Sequence, residues 1–172
     1  MARLPRLALA GHLHHVVLRG NAGQALFVDD EDRQRCLQML REALREHGVA
    51  LHGYVLLEDS LQLLLTPDTD AGLSTAVQAL GRRYVAAFNR RHGRAGTLWE
   101  GRYRATVAQP PRHFIALLTL VEWQPQRLGL IASALEWPWS SAAHHLGRRR
   151  DPLVTDHPLF WATGNTPFER EL

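Results

Sequence analysis

Apolar positions along the chain follow two spacings, one typical of helices and one typical of strands. Between residues 73 and 88 they recur every three or four positions, which places them on one face of an amphipathic helix: Leu73, Val77, Leu80, Tyr84 and Phe88. Short apolar runs that end at turn residues predict strands instead. Two such runs, residues 49–57 and 61–65, lie on either side of Glu58 and Asp59. This arrangement predicts a tight turn and a β-hairpin.

The same criteria predict a definite order of elements over the whole chain. We expect strands at residues 14–18, 49–57, 61–65 and 103–108, and helices at residues 29–47, 73–88, 110–124 and 140–146. The order β-α-β-β-α-β is that of an α+β, ferredoxin-like fold, an antiparallel four-stranded sheet with helices on one face. A C-terminal helix follows it. We place this domain at residues 1–147 and expect residues 148–172 to form an irregular, polar and loosely packed tail.

The third strand carries two polar side chains in an otherwise apolar run. Ser60 and Gln62 are two positions apart, so on a strand they point to the same face of the sheet. Polar groups inside an apolar strand need either solvent or a partner. The pair therefore indicates a wet face or the remains of a binding site.

Length and composition indicate one globular domain. The chain has 172 residues, of which 45% are hydrophobic and 22% charged, as is usual for a soluble protein. No apolar run approaches the roughly 18 residues of a membrane span, and the apolar run near the N-terminus is too short for the core of a signal peptide. The single cysteine, Cys36, cannot form an internal disulfide. We expect a cytoplasmic protein.

The basic residues are unevenly distributed. All 20 are arginines, and residues 81–104 hold seven of them against a single acid, Glu100. The same segment carries aromatic side chains, including Trp99 and Tyr103. Arginine suits phosphate and aromatic rings suit bases, so the segment predicts a nucleic-acid surface. The alternative is a solvated helix face, with Tyr84 and Phe88 in the core.

Four stretches together resemble one family. They are HVVLRGNAGQALFVDDEDR (15–33), HGYVLLEDSLQLLLTP (52–67), YVAAFNRRHGRAGTLWEGRYRA (84–105), and VEWQPQRLGLI (121–131) with WPWSS (137–141). They are similar to the REP-associated tyrosine transposases, a branch of the single-tyrosine HUH transposases, over about residues 12–147. The stretch GTLWEGRY is the most specific part of the match.

The resemblance implies a ferredoxin-like fold and an activity on DNA. Members of the family bind imperfect palindromes that form hairpins, and they cut one strand with a tyrosine that becomes linked to the 5′-phosphate. A divalent cation, Mg²⁺ or Mn²⁺, is held by two histidines and polarises the scissile phosphate. The family also continues into a basic C-terminal segment, which the resemblance places beyond Leu172.

This sequence departs from the family at the positions that carry the chemistry. Ser60 and Gln62 stand at the two metal-ligand positions, and Leu120 stands at the position of the tyrosine. Further along the same stretch, Glu122 and Arg127 match the family and fix the register. We therefore expect no metal cofactor and no catalytic residue. We also expect Leu120 to be largely buried, with its helix packed onto residues 61–65 and no pocket for a metal and a phosphate beside Gln62.

Two alternatives remain open at this point. The protein could be an active transposase with displaced groups, drawn from Glu58, Asp59 and His52 near the old site. A cluster of histidines, at positions 12, 14 and 15, could also hold a metal, although surface histidines are the commoner outcome. The other alternative is a protein-interaction module that inherits the fold.

The leading hypothesis is a catalytically inactive, transposase-like protein that binds single-stranded or hairpin DNA. A homodimer is a further expectation, and no membrane is expected as a partner. The residues expected to contact DNA are Arg19, Arg82, Arg83, Arg90, Arg91, Arg94, Trp99, Arg102, Tyr103, Arg104 and Arg127.

Overall fold

The structure, a computed structural model, describes residues 8–162. Its strands are β1 (Leu13–Arg19), β2 (Val49–Leu56), β3 (Ser60–Pro67) and β4 (Arg104–Ala108). Its α-helices are α1 (Asp30–Glu46), α2 (Gly72–His92), α3 (Pro110–Glu122), α4 (Gln124–Arg127), α5 (Ala142–His145) and α6 (Pro158–Trp161). The predicted order of elements is confirmed.

The four strands form one antiparallel sheet in the order β2-β3-β1-β4. The hairpin between β2 and β3 turns at Glu58 and Asp59, as predicted, and Leu57 N–H donates to the carbonyl of Ser60. In this order β1 and β3 are central, while β2 and β4 form the two edges. The α+β, ferredoxin-like fold class is confirmed.

Helices α1 and α2 cover one face of the sheet, and the additional helix α3 covers the other. Side chains along β1 alternate between the two faces of the sheet. Val16 and Leu18 belong to the core under α1 and α2, whereas Leu13 belongs to the core under α3. The start of α1 is capped as its acidic residues predict, since Asp29 accepts a hydrogen bond from the backbone N–H of Asp32.

Helix α3 lies unusually close to β2. A Cβ added to Gly53 would sit 2.7 Å from Cδ1 of Leu118, so this contact needs a residue without a side chain. Beside it, the Ser141 hydroxyl donates to the buried Glu122 carboxylate at 2.5 Å and accepts the backbone N–H of Tyr54 at 2.9 Å. Glycine and the buried hydrogen bonds together fix the end of α3 against the edge strand.

The expectation of a loosely packed tail is wrong for the part of it that is described. The Tyr54 hydroxyl donates to Asp151 at 2.5 Å, and Thr155 N–H donates to the Leu51 carbonyl at 2.7 Å. Leu153 and Val154 pack against the core, and residues 163–172 lie outside the described part. Apolar residues spaced among polar ones let this segment cover edge strand β2. A domain boundary at residue 147 stays a prediction.

Within residues 8–162, no helix is both long and apolar enough to cross a bilayer.

His52 makes the stability of the fold depend on pH. It is buried, its Nδ1 faces the Thr155 carbonyl at 2.8 Å, and its Nε2 faces the Thr66 hydroxyl at 2.8 Å. Burial lowers the pKa of His52 to about 4 from its ordinary value of 6.5. Burial also lowers the pKa values of His14, His15 and His157. The unfolded chain therefore binds more protons than the folded chain in this pH range, and acid favours unfolding.

We expect the free energy of unfolding to fall as the pH is lowered from 6.5 towards 4. His52 alone contributes a loss of roughly 3 kcal/mol over that interval. The variant His52→Asn, which does not titrate there, should be less stable at neutral pH and show a shallower pH dependence. Urea unfolding at a series of pH values measures both, and a wild-type stability that stays constant from pH 7 to 4.5 would contradict the assignment.

Candidate nucleic-acid interface

The face of the sheet under α3 brings together the residues at which the sequence departs from the family. Strand pairing places Gln62, Val17 and Arg104 in one row across the sheet. Ser60 lies opposite Arg19 at the end of β1. Ser60 and Gln62 therefore share one face with two of the predicted DNA-contacting arginines.

Ser60 and Gln62 are buried rather than wet, since only 6% and 8% of their surfaces are exposed. The His15 Nε2–H donates to the Gln62 side-chain oxygen at 3.1 Å. Burial lowers the pKa of His15, which keeps its ring neutral. The Gln62 oxygen is satisfied by the neighbouring strand, so this side chain no longer needs solvent or a metal.

The expectation that Leu120 is largely buried is wrong, and the absence of a pocket beside Gln62 stays a prediction. Leu120 is only half-buried, and together with His15 and Leu117 it lines an open cleft of about 720 Å³. Helix α3 does pack on the sheet, but it does so through Phe114, Leu118 and Val121, which adjoin Leu64. Leu120 lies on a different side of the helix from these anchors, and the cleft remains open beside it.

The cleft is bounded by strand β4 on one side and by α3 on the other. Thr106 and Ala108 contribute from β4, and Gln109, His113 and Arg127 supply further polar groups. Sequence reasoning singled out only Arg127 among the polar groups. Gln109 and His113 could be found only from the position of α3, because they belong to no motif.

Two of the histidines that were open as metal ligands, His14 and His52, have other partners. His14 accepts the backbone N–H of Leu9 at 3.2 Å on Nε2 and donates from Nδ1 to the His12 carbonyl at 2.7 Å. His52, which was considered as a displaced ligand, is held by Thr155 and Thr66. These bonds use the lone pairs that a metal would need.

Within the described part of the chain, one group of three side chains is close enough to share an ion: His144, His145 and Asp156. It lies on α5 and the segment after it, away from the residues that line the cleft. His144 accepts the Asp151 N–H on Nδ1 at 2.9 Å, so its Nε2 carries the proton that is donated to Asp156 at 2.8 Å. These hydrogen bonds link α5 to the segment that follows it, and they account for the closeness of the three side chains.

Several predicted arginines line two adjacent grooves near β4, and Arg104, which lines the smaller one, lies two positions before the cleft residue Thr106. Arg19, Arg102 and Arg104 line a small groove together with Val17. A second groove, of about 340 Å³, shares Arg19 and Arg102 with the first and is lined by five of the predicted residues: Arg19, Arg82, Trp99, Arg102 and Tyr103. Arg19, Arg82, Arg102 and Arg104 are exposed at this surface, which we call the β4 basic surface.

Other predicted arginines are engaged by acidic or polar side chains. Arg91 contacts Asp29 at 2.6 Å and Asp32 at 2.7 Å, and Arg83 contacts Glu46 at 2.7 Å. Arg94 donates to Asn89 at 2.6 Å, so it braces the end of α2. Arg90 is exposed on α2. DNA contacts by this second set stay a prediction.

Besides favouring the start of α1, the acidic cluster at residues 29–32 binds Arg91, a role that the sequence pattern alone did not predict. A hydrogen bond from Arg91 holds the pKa of Asp29 well below its usual range. Burial opposes ionisation of Asp32, but bonds from the Val28 amide, Arg91 and His92 lower its pKa nonetheless. The sequence does carry a signal for these ion pairs, namely four consecutive acids and a later helix that is rich in arginine.

Arg91 should therefore act on stability. Replacing it in Arg91→Ala leaves the buried Asp32 carboxylate with fewer donors, and the midpoint of thermal unfolding should fall. The matched control is Arg90→Ala, the exposed neighbour, which should leave the midpoint nearly unchanged. Equal midpoints for the two variants would show that the ion pairs of Arg91 contribute nothing.

Comparisons with known proteins agree with this architecture. A solved structure described as a REP-associated tyrosine transposase bound to a REP hairpin has a TM-score of 0.73 and 15% identity, and the match covers 92% of this chain and 96% of that one. A transposase candidate from Deinococcus radiodurans R1 has a TM-score of 0.46 and 22% identity over 67% of this chain and 94% of its own. No curated protein sequence matches the chain.

The first of these structures shows a shared fold. The sequence profile described as "Transposase IS200 like" matches residues 9–115. Because this match covers more than half of the chain, the protein belongs to the IS200-like transposase family.

Proposed function

We propose that the protein binds hairpin or single-stranded DNA and does not cut it. The observation that carries this proposal is that Arg104 of the β4 basic surface lies next to the open cleft along β4. Arg104, Thr106 and Ala108 alternate along β4, so they lie on the same face of the sheet. A strand whose phosphates contact Arg104 would enter a cleft that still has room for it.

The β4 basic surface combines the two features that single-stranded DNA requires. Exposed arginines attract the phosphates, and Trp99 and Tyr103 border the same groove and offer rings to the bases. Glu100 is the acid in these walls, so positive charge prevails there. The relative described as bound to a REP hairpin, which shares the fold, supports hairpin DNA as the ligand.

The groups that line the cleft do not supply a nucleophile of the family type, and Ser60 and Gln62 lie outside that lining. Leu120 has no oxygen with which to attack phosphorus. Gln62 offers a neutral amide that already accepts the His15 N–H, and a neutral amide is a weak substitute for imidazole as a metal ligand. The donor set at this place does not fit the family's divalent cation. We therefore interpret the cleft as a place that holds DNA.

The pairing of two copies into a homodimer and a location in the cytoplasm stay predictions. The rival proposal of a protein-interaction module would need an apolar surface as its main feature. The walls of the open cleft are mostly apolar, but the cleft includes Arg127 and adjoins Arg104, which favours the nucleic-acid proposal.

Salt dependence of binding tests the β4 basic surface. Each phosphate contact on single-stranded DNA contributes about 0.7 to the slope of log affinity against log salt. Arg104→Ala should reduce that slope by about this amount for every DNA sequence tested, because phosphate contacts carry no sequence information.

The matched control is Arg35→Ala, which removes one exposed arginine from α1, where Arg35 pairs with Glu31. It should leave the slope unchanged. Equal slopes for Arg104→Ala, Arg35→Ala and the parent would show that the β4 basic surface is only a solvated face.

Restoring the three family residues tests whether the backbone still places two metal ligands and a nucleophile in a working arrangement. The triple variant Ser60→His, Gln62→His and Leu120→Tyr places two imidazoles and a phenol on the sheet face and helix side described above. With Mn²⁺ it should form a small amount of covalent protein–DNA adduct on hairpin DNA, visible on a denaturing gel.

The double variant Ser60→His and Gln62→His is the control, since it has ligands but lacks the nucleophile, and it should form no adduct. A triple variant that binds the hairpin but forms no adduct would show that the supporting geometry has drifted.

A further inference from the structure

We infer a second nucleotide-binding groove at the opposite edge of the sheet, which takes a phosphate and base of the same DNA. This inference rests on the proposed function in so far as it names DNA as the ligand. The groove has a volume of about 370 Å³ and lies beside edge strand β2. Trp139 and Tyr54 contribute to its walls, and Arg41, Arg149 and Arg150 contribute positive charge. We call it the β2 groove.

Two segments far apart in the sequence bring these arginines to one place. Arg41 comes from α1, while Arg149 and Arg150 come from the segment that follows α5. The acid in the lining is Asp151, so three positive charges face one negative charge. Like charges that converge on one groove repel each other, and a bound phosphate would relieve that repulsion.

The arginines are presented by a folded segment. Asp151 accepts the Tyr54 hydroxyl at 2.5 Å and the Leu153 N–H at 3.0 Å, and its own N–H donates to His144 at 2.9 Å. These bonds fix the backbone directly after Arg150. Because this anchor is rigid, Arg150 loses less conformational entropy on binding than an arginine in a loose tail would lose.

The lining points to a nucleotide as the ligand. Leu37, Pro138 and Leu153 join the two aromatic residues, so the groove offers mostly apolar walls with charge around them. A nucleotide has the matching pair of features, a flat base and an anionic phosphate. Trp139 already stands near a guanidinium, since the Arg33 side chain lies 5.8 Å from its ring centre.

The two sites lie on different edges of the sheet. The β2 groove lies beside one edge strand, and the β4 basic surface lies at the other, three interstrand spacings away. Three spacings amount to about 14 Å. One nucleotide cannot reach both, so the β2 groove should add contacts for a DNA of several nucleotides.

The test measures the salt dependence of binding to a single-stranded DNA of about 16 nucleotides. Arg150→Ala should reduce the slope of log affinity against log salt by about 0.7. Arg35→Ala, the matched exposed control on α1, should leave it unchanged. Arg150 is exposed, so equal thermal midpoints for parent and variant confirm that folding is unaffected.

A second readout places the base. The same DNA carrying photoreactive 5-bromouracil should cross-link, after irradiation, to a peptide that contains Trp139, and Arg150→Ala should reduce this cross-link several-fold.

The outcomes separate the two proposals. If Arg104→Ala lowers the slope and Arg150→Ala does not, the β2 groove is not a DNA site, and the proposed function stands. If neither variant changes the slope, the proposed function fails together with this inference. If the groove instead binds an acidic peptide, binding of DNA to Arg150→Ala should show the same salt slope as binding to the parent, and no cross-link should form at Trp139. That result would overturn the inference.

Discussion

The close contact between α3 and β2 at Gly53 is the constraint on which the rest of the structure depends. A side chain at this position would meet Leu118 at 2.7 Å, so the absence of a Cβ lets the helix lie directly on the strand. With Leu118 seated there, Phe114 and Val121 face the same core, and their burial stabilises the helix across the sheet. Leu117 and Leu120 then necessarily border the cleft.

The same seating explains why a cleft persists beside Leu120. A helix held by its other side cannot roll to bury Leu120 without breaking the contacts of Leu118 and the buried bond between Glu122 and Ser141. The sheet below has adapted more locally, through the hydrogen bond from His15 to Gln62. The Gln62 side chain is therefore satisfied by the neighbouring strand, while the shape of the cleft is kept by the packing of α3.

Much of the fold could be predicted from the chain, because its signals are local. The spacing of apolar residues in α2 and the turn at Glu58 and Asp59 depend only on neighbouring positions. The family resemblance, which the profile match confirms at the level of the family, likewise rests on contiguous motifs.

The site was less predictable because it depends on contacts between distant segments. Arginines that look alike in the sequence differ in the structure, since Arg91 meets Asp29 and Asp32 across two helices whereas Arg104 does not lie in that cluster. The packing of residues 151–155 on β2 depends on Tyr54 and Leu51, about a hundred positions earlier. No periodic pattern of residues in this segment predicts that it contacts Tyr54 and Leu51.

Binding without cleavage is the central claim, and one measurement on the unmodified protein tests both halves of it. Hairpin DNA labelled at its 5′ end is incubated with the protein and Mg²⁺ or Mn²⁺, and each sample is divided between a native gel and a denaturing gel. The account predicts a retained protein–DNA complex on the native gel and intact DNA of full length on the denaturing gel. Shortened DNA or a covalent adduct on the denaturing gel would show an active enzyme, and the absence of a complex at low salt would show that the protein does not bind this DNA.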